Sequence, residues 1–113
     1  MIRVLLAEDQ AMMRGALAVL LDLEDDIEVV AQVSDGTEIV PAALEARPDV
    51  ALLDIELPGR SGLDAASDLA TELPGCRVGL IRNPHESLAL ADALAEHIIS
   101  SLDNLSEAAQ AAE

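Results

Sequence analysis

Carboxylates stand at the ends of two short hydrophobic runs in this chain. Glu8 and Asp9 follow the largely apolar run 2–7, and Asp54 ends the apolar run that begins at Val50. Such runs are typical of buried parallel strands, whose carboxyl ends are where ligand chemistry gathers. If the two strands are neighbours, three acids meet at one edge of the sheet, and such a cluster persists only with a cation or a shared proton. Carboxylate oxygens suit Mg²⁺, which binds a few of them together with water and a phosphate, so the residues indicate phosphate chemistry.

The composition excludes several classes of function. A chain of 113 residues with 51% hydrophobic content fits one domain. A net charge of −16, with six arginines and no lysine, argues against direct nucleic-acid binding by this chain, as does the absence of aromatic residues. The single cysteine, Cys76, cannot form an internal disulfide, and no apolar segment approaches the length of a membrane span. The sequence therefore predicts a cytoplasmic protein that does not enter the membrane.

Alternating strand-like and helix-like segments must position the acids. The predicted strands cover residues 2–7, 27–33, 49–54, 76–81 and 97–101, and the predicted helices cover residues 11–23, 35–46, 63–73, 86–96 and 103–112. This alternation predicts an α/β fold with one doubly wound parallel sheet, helices on both faces and the strand order 2-1-3-4-5. The first and third strands are then neighbours, which brings Glu8, Asp9 and Asp54 into one pocket.

Local signals add detail to two of the helices. Asp35 to Glu38 have the N-cap and capping-box chemistry of a helix start, and Pro41 lies past the first turn, where we expect it to distort the helix. Gly36 and Gly59 are interpreted as turn glycines. The first helix should present a broad apolar face formed by Met12, Leu17, Val19, Leu20 and Leu21.

Three segments resemble those of a known family. The acidic pair in LLAEDQ, the block VALLDIELPGRSG and the RPDV approach to the third strand are similar to the response regulator receiver domains of NarL-type transcription regulators. The resemblance covers roughly the first two thirds of the chain. It implies a flavodoxin-like receiver domain over residues 1–113, in which residues 79–113 are either divergent or incomplete.

The resemblance also implies a role for each acid. Asp54 matches the aspartate that accepts a phosphoryl group from a partner histidine kinase. Asp9 and Asp54 match carboxylates that bind Mg²⁺, Glu8 matches the acid that reaches the ion through water, and Glu56 matches the position whose backbone carbonyl coordinates it. Physical chemistry agrees, because an anionic nucleophile flanked by acids needs a divalent ion between itself and a phosphate.

Three positions depart from the family pattern. Arg82 stands where receivers have Ser or Thr, Leu102 stands where they have Lys, and Ser61 stands where Asp or Asn is frequent. One hypothesis is that the Arg82 guanidinium reaches Asp54 or a bound phosphate and replaces the missing lysine, although its shape and reach differ. The alternative is an ordinary solvent-facing arginine.

Three functions compete on these grounds. The leading one is a phosphorelay receiver, not an enzyme, that regulates transcription through an output module or a homodimer partner. Because the chain ends at Glu113 without a DNA-binding segment, we expect that module to lie outside it. The second is a degenerate pseudo-receiver that acts as a phosphorylation-independent interaction or ligand-sensing module. The third, ranked last, is a small magnesium-dependent phosphatase with Asp54 as the nucleophile.

Overall fold

The computed structural model describes residues 1–81, which form a parallel sheet with helices on both faces. Its elements are β1 (Ile2–Ala7), α1 (Ala11–Asp22), β2 (Ile27–Val33), a 3-10 turn (Gly36–Glu38), α2 (Ile39–Ala46), β3 (Val50–Asp54), α3 (Gly62–Glu72) and β4 (Arg77–Ile81). The strand order β2-β1-β3-β4 confirms the predicted α/β fold and makes β1 and β3 neighbours. The predicted elements at 86–96, 97–101 and 103–112 lie outside the described residues.

The sheet separates two apolar layers. One layer contains α1, and the other contains α2 and α3. The inward face of α1 is formed by Met13, Leu17 and Leu21, which follow one another at a spacing of four residues. The broad face predicted from the sequence is therefore partly wrong, since Met12 and Val19 are 74% and 61% exposed. No helix described within residues 1–81 has the length and hydropathy needed to cross a membrane.

The strand β2 contains one residue that has no pairing partner in the neighbouring strand β1. Val4 of β1 pairs with Val29, but the next residue, Leu5, pairs with Ala31, so that Val30 is skipped. A bulge of one residue reverses the alternation of side chains along a strand. As a result, the part of β2 before Val30 contacts the α1 layer, and the part after it contacts the α2–α3 layer.

The start of α2 differs from the prediction. The Asp35 carboxylate accepts a hydrogen bond from the Thr37 N–H at 2.7 Å, as expected for an N-cap. It caps the 3-10 turn, however, and the α-helix begins only at Ile39. Pro41 therefore lies in the first turn of α2, where a missing N–H costs no intrahelical hydrogen bond. The expectation that Pro41 lies past the first turn was wrong, because the 3-10 turn precedes the helix.

The start of α3 is capped by Ser61, whose Oγ accepts a hydrogen bond from the Asp64 N–H at 3.1 Å. We expect Ser61→Ala to lower the free energy of unfolding by about 1 kcal/mol, because this N–H loses its partner. Urea unfolding followed by far-UV circular dichroism suits the measurement, since the chain contains no aromatic residue. Ser67→Ala, at an exposed position inside the same helix, is the matched control and should be neutral or slightly stabilising. Equal losses in the two variants would exclude a capping role.

Candidate functional site

Three acidic side chains meet at the carboxyl ends of β1 and β3. One carboxylate oxygen from each of Glu8, Asp9 and Asp54 lies within 4.8 Å of the others. The strand register explains this arrangement, because Ala7 pairs with Leu53 and the residues that follow them are level with each other. The structure thus brings together the acids that the sequence placed in one pocket.

The three acids differ in their exposure. Glu8 and Asp54 are 0% and 1% exposed, whereas Asp9 is exposed. Within residues 1–81, Glu8 Oε2 and Asp54 Oδ2 are buried and have no hydrogen-bond partner. A buried polar atom without a partner costs free energy, and the cost is larger when the group is charged. Both oxygens therefore call for a ligand that compensates negative charge.

The remaining oxygens of the two buried acids are held by backbone N–H groups. Asp54 Oδ1 accepts a hydrogen bond from the Glu56 N–H at 3.0 Å, and Glu8 Oε1 accepts one from the Gln10 N–H at 3.3 Å. Arg14 lies near, but its guanidinium donates to the backbone carbonyl of Glu8 at 2.7 Å and not to the carboxylate. In the described part of the chain, no arginine forms an ion pair with the acids of the pocket.

The electrostatics of the pocket favour a proton on Glu8 when no metal is bound. Burial, followed by the facing carboxyl group of Asp54 and its charge, raises the pKa of Glu8 from 4.5 to about 8. Asp9 adds to this rise, and the hydrogen bond from the Gln10 N–H opposes it. A proton on Glu8 provides a hydrogen-bond donor between the facing carboxyl groups of Glu8 and Asp54, whose oxygens otherwise act only as acceptors. Because a metal ion compensates the same negative charge, its binding should displace this proton.

The donor set of the pocket fits Mg²⁺. It consists of hard carboxylate oxygens, two of them buried and unpartnered within residues 1–81, and it contains no nitrogen or sulfur ligand. Magnesium prefers such oxygens and keeps several waters when only a few protein ligands are present. Glu56 lies two residues after Asp54 in the chain, and its N–H donates a hydrogen bond to the Asp54 carboxylate. Arg82 and Leu102, two of the three positions that depart from the family pattern, lie outside the described residues.

Sequence reasoning missed the way in which the loop after β3 is held. This loop, residues 55–62, is closed at its base by a hydrogen bond from the Gly62 N–H to the Ile55 carbonyl at 2.9 Å. At its other end it contacts Gly36, in the turn that follows β2, through a hydrogen bond to Pro58. The turn glycines Gly36 and Gly59 were the available signal in the sequence. No sequence spacing indicates, however, that the two turns that contain them contact each other.

Comparisons with known proteins agree with this geometry. The family model described as the response regulator receiver domain matches residues 4–106. The transcriptional regulatory protein DesR of Bacillus subtilis (strain 168) is 46% identical over 78 residues, which is 69% of this chain and 38% of that protein. The "uncharacterized transcriptional regulatory protein YvfU" of the same organism is 50% identical over 76 residues, which is 67% of this chain and 37% of that protein. The chain thus spans somewhat more than a third of the length of these curated relatives.

Solved structures show the same fold. The response regulator domain of Thermotoga maritima CheB has a TM-score of 0.69 at 31% identity, covering 83% of this chain and 72% of that chain. The signal receiver domain of the putative response regulator NarL from Mycobacterium tuberculosis also has a TM-score of 0.69, at 26% identity, covering 83% of this chain and 77% of that chain. Both similarities support the single flavodoxin-like sheet.

Proposed function

This chain belongs to the family of response regulator receiver domains, and on that basis we propose that it accepts a phosphoryl group on Asp54 from a histidine kinase in a magnesium-dependent reaction. The observation that carries the proposal is the buried Oδ2 of Asp54 beside the buried Oε2 of Glu8, neither of which has a hydrogen-bond partner among residues 1–81. A carboxylate in this setting is a nucleophile whose charge needs compensation before it can approach a phosphate.

Each residue of the pocket has a role in this proposal. The Glu56 N–H holds Asp54 Oδ1, which leaves Oδ2 as the attacking atom. This oxygen forms the new bond to phosphorus, while the bond from phosphorus to the histidine nitrogen breaks and its electron pair stays on the nitrogen. Asp9, Asp54, the Glu56 carbonyl and, through water, Glu8 would hold Mg²⁺, which when bound neutralises charge on the transferred oxygens. The pocket accepts one phosphoryl group and is not proposed to turn over a substrate.

The partners follow from the relatives. Because the matched curated proteins are transcriptional regulators and the chain covers only part of their length, we infer that the domain controls transcription through an output module or a second receiver. The phosphorylation reaction would take place in the cytoplasm, and DNA would be contacted by the output module. The family match to residues 4–106 supports the interpretation of residues 1–113 as one receiver domain.

The proposal predicts phosphorylation by a small-molecule donor. Incubation of the purified chain with phosphoramidate and Mg²⁺ should add the mass of one phosphoryl group, observed by intact mass spectrometry. Hydroxylamine should remove the group, because it cleaves acyl phosphates, and chelation of the metal should prevent its addition. Beryllofluoride with Mg²⁺, which mimics an aspartyl phosphate, should raise the melting temperature. A chain that binds neither mimic nor phosphoryl group would contradict the proposal.

A second candidate is a pseudo-receiver that works without phosphorylation. It is favoured by the absence of lysine from the chain, since receivers pair a lysine with the phosphate, and by Arg82 at the position of their Ser or Thr. This candidate predicts that beryllofluoride has no effect and that binding to an output partner does not depend on Mg²⁺.

A further inference from the structure

Two loops that follow non-adjacent strands contact each other at the edge of the sheet that carries the acids. β1 lies between β2 and β3 in the sheet, yet the turn after β2 contacts the loop of residues 55–62 after β3. The Gly36 N–H donates a hydrogen bond to the Pro58 carbonyl at 3.0 Å. This contact spans the end of β1, which Glu8 and Asp9 follow in the chain.

The tip of the 55–62 loop is shaped to fit the turn. The Pro58 carbonyl also accepts a hydrogen bond from the Arg60 N–H at 2.9 Å, and Gly59 between them has a φ of 78°. This combination is a γ-turn with positive φ, a rare conformation. The Asp35 carboxylate lies so close to Gly59 that a Cβ at position 59 would overlap it. The same carboxylate caps the 3-10 turn, so the loop tip lies directly against the start of that turn.

Gly36 approaches the loop more closely than any side chain would allow. A Cβ added to Gly36 would overlap the backbone carbonyl oxygen of Arg60. Because a backbone carbonyl cannot rotate away as the end of a flexible side chain can, the whole loop tip would have to move. The close approach, rather than an unusual backbone angle, is the reason for a glycine at position 36.

The displaced loop would act on the acidic pocket. Its base is closed by the hydrogen bond from the Gly62 N–H to the Ile55 carbonyl, the Ile55 N–H donates to the Ile81 carbonyl of β4, and its tip is fixed by Gly36. Glu56 lies between these two anchors, and its N–H holds Asp54 Oδ1. A shift of the tip therefore changes the position of the Glu56 backbone, and with it the orientation of the Asp54 carboxylate.

We propose that Gly36 is a positioning residue for the magnesium site, which it supports by holding the loop that carries Glu56. The inference rests on the proposed function, since it concerns the same pocket. Within residues 1–81 no hydrogen bond joins Gly36 to the three acids, and its effect is transmitted through the backbone of residues 55–62. Residues that orient metal ligands from outside the coordination sphere typically change metal affinity when they are substituted.

The test is the affinity of the full chain for Mg²⁺ alone, measured by isothermal titration calorimetry. Gly36→Ala should weaken binding about tenfold or more. Gly75→Ala is the matched control, because a Cβ at position 75 meets no atom within 4 Å, and it should leave the affinity unchanged. Leu21→Ala removes a buried side chain from the α1 layer, so it should lower the melting temperature without lowering the affinity of the folded protein.

The outcomes separate this inference from the proposed function. Wild-type chain that takes up no Mg²⁺ would overturn both, whereas equal affinities of wild type and Gly36→Ala would overturn only the role of Gly36. A shift of the Glu56 amide resonance in Gly36→Ala, absent from Leu21→Ala, would support it. If Gly36→Ala does not fold, Gly59→Ala serves instead, since a Cβ at position 59 would overlap the Asp35 carboxylate and displace the loop tip while leaving Gly36 in place. A weaker affinity of Gly59→Ala supports the proposal, and an unchanged one overturns it.

Discussion

Asp54→Asn should abolish acyl phosphate formation and leave the domain folded. The amide oxygen is a poor nucleophile, and the substitution removes the carboxylate whose Oδ2 is buried without a partner in the part of the chain that the structure describes. We expect the rate of phosphorylation by phosphoramidate and Mg²⁺ to fall by roughly a thousandfold or more, to the background level. Intact mass spectrometry over a time course measures this rate directly.

The matched control for this substitution is Asp25→Asn, an identical change at an exposed position outside the elements of the sheet. It should be phosphorylated like the wild type. Asp54→Asn should also be more stable than the wild type in the absence of metal, because its amide N–H can donate to Glu8 Oε2 and the buried charge of Asp54 is gone. Continued phosphorylation of Asp54→Asn would assign the phosphoryl group to another residue and contradict the proposed function.

The free energy of unfolding of the metal-free protein should fall as the pH rises from 4.5 to about 8. In the folded state the pKa of Glu8 is raised to about 8, whereas an unfolded chain has the ordinary value of 4.5. Between these values the folded state binds more protons than the unfolded state, so raising the pH favours unfolding. The expected loss is on the order of a few kcal/mol, and urea unfolding in the presence of a chelator measures it.

Glu8→Gln should remove this pH dependence, because the amide does not titrate and can donate a hydrogen bond to Asp54. Glu45→Gln makes the same change in net charge at an exposed position and should keep the dependence of the wild type. Saturating Mg²⁺ should also flatten the wild-type profile, since the cation replaces the proton as the compensating charge. An unchanged slope in Glu8→Gln would show that another group causes the loss.

Much of the fold could be predicted from local patterns. The bounds of β1 and β2 match the prediction residue for residue, because both are largely apolar runs that end at a charged or polar residue. β3, α3 and β4 differ from it by one residue at their ends. The convergence of the acids followed from the strand order, since the carboxyl ends of neighbouring parallel strands meet.

Other features depend on contacts that sequence patterns do not contain. Nothing in the sequence marks which acid of the adjacent pair Glu8 and Asp9 is buried, because that choice depends on how the chain leaves β1. Ser61 was treated as a departure from the family pattern, whereas its hydroxyl caps α3. The close fit of Gly36 against Arg60 arises from two segments brought together by the sheet.

The skipped residue Val30 lets β2 pack against both layers of the domain. Residues before it pack with α1, and residues after it pack with α2 and α3. Because Val30 pairs with no residue of β1, its deletion would leave Ala31 paired with Leu5 and every later side chain of β2 on its present face. The neighbouring strand β1 pairs with β3 without a spare residue, so a deletion there would turn each following side chain to the opposite layer and move Glu8 away from Asp54. Two adjacent strands of one sheet should therefore differ sharply in their tolerance of a deletion.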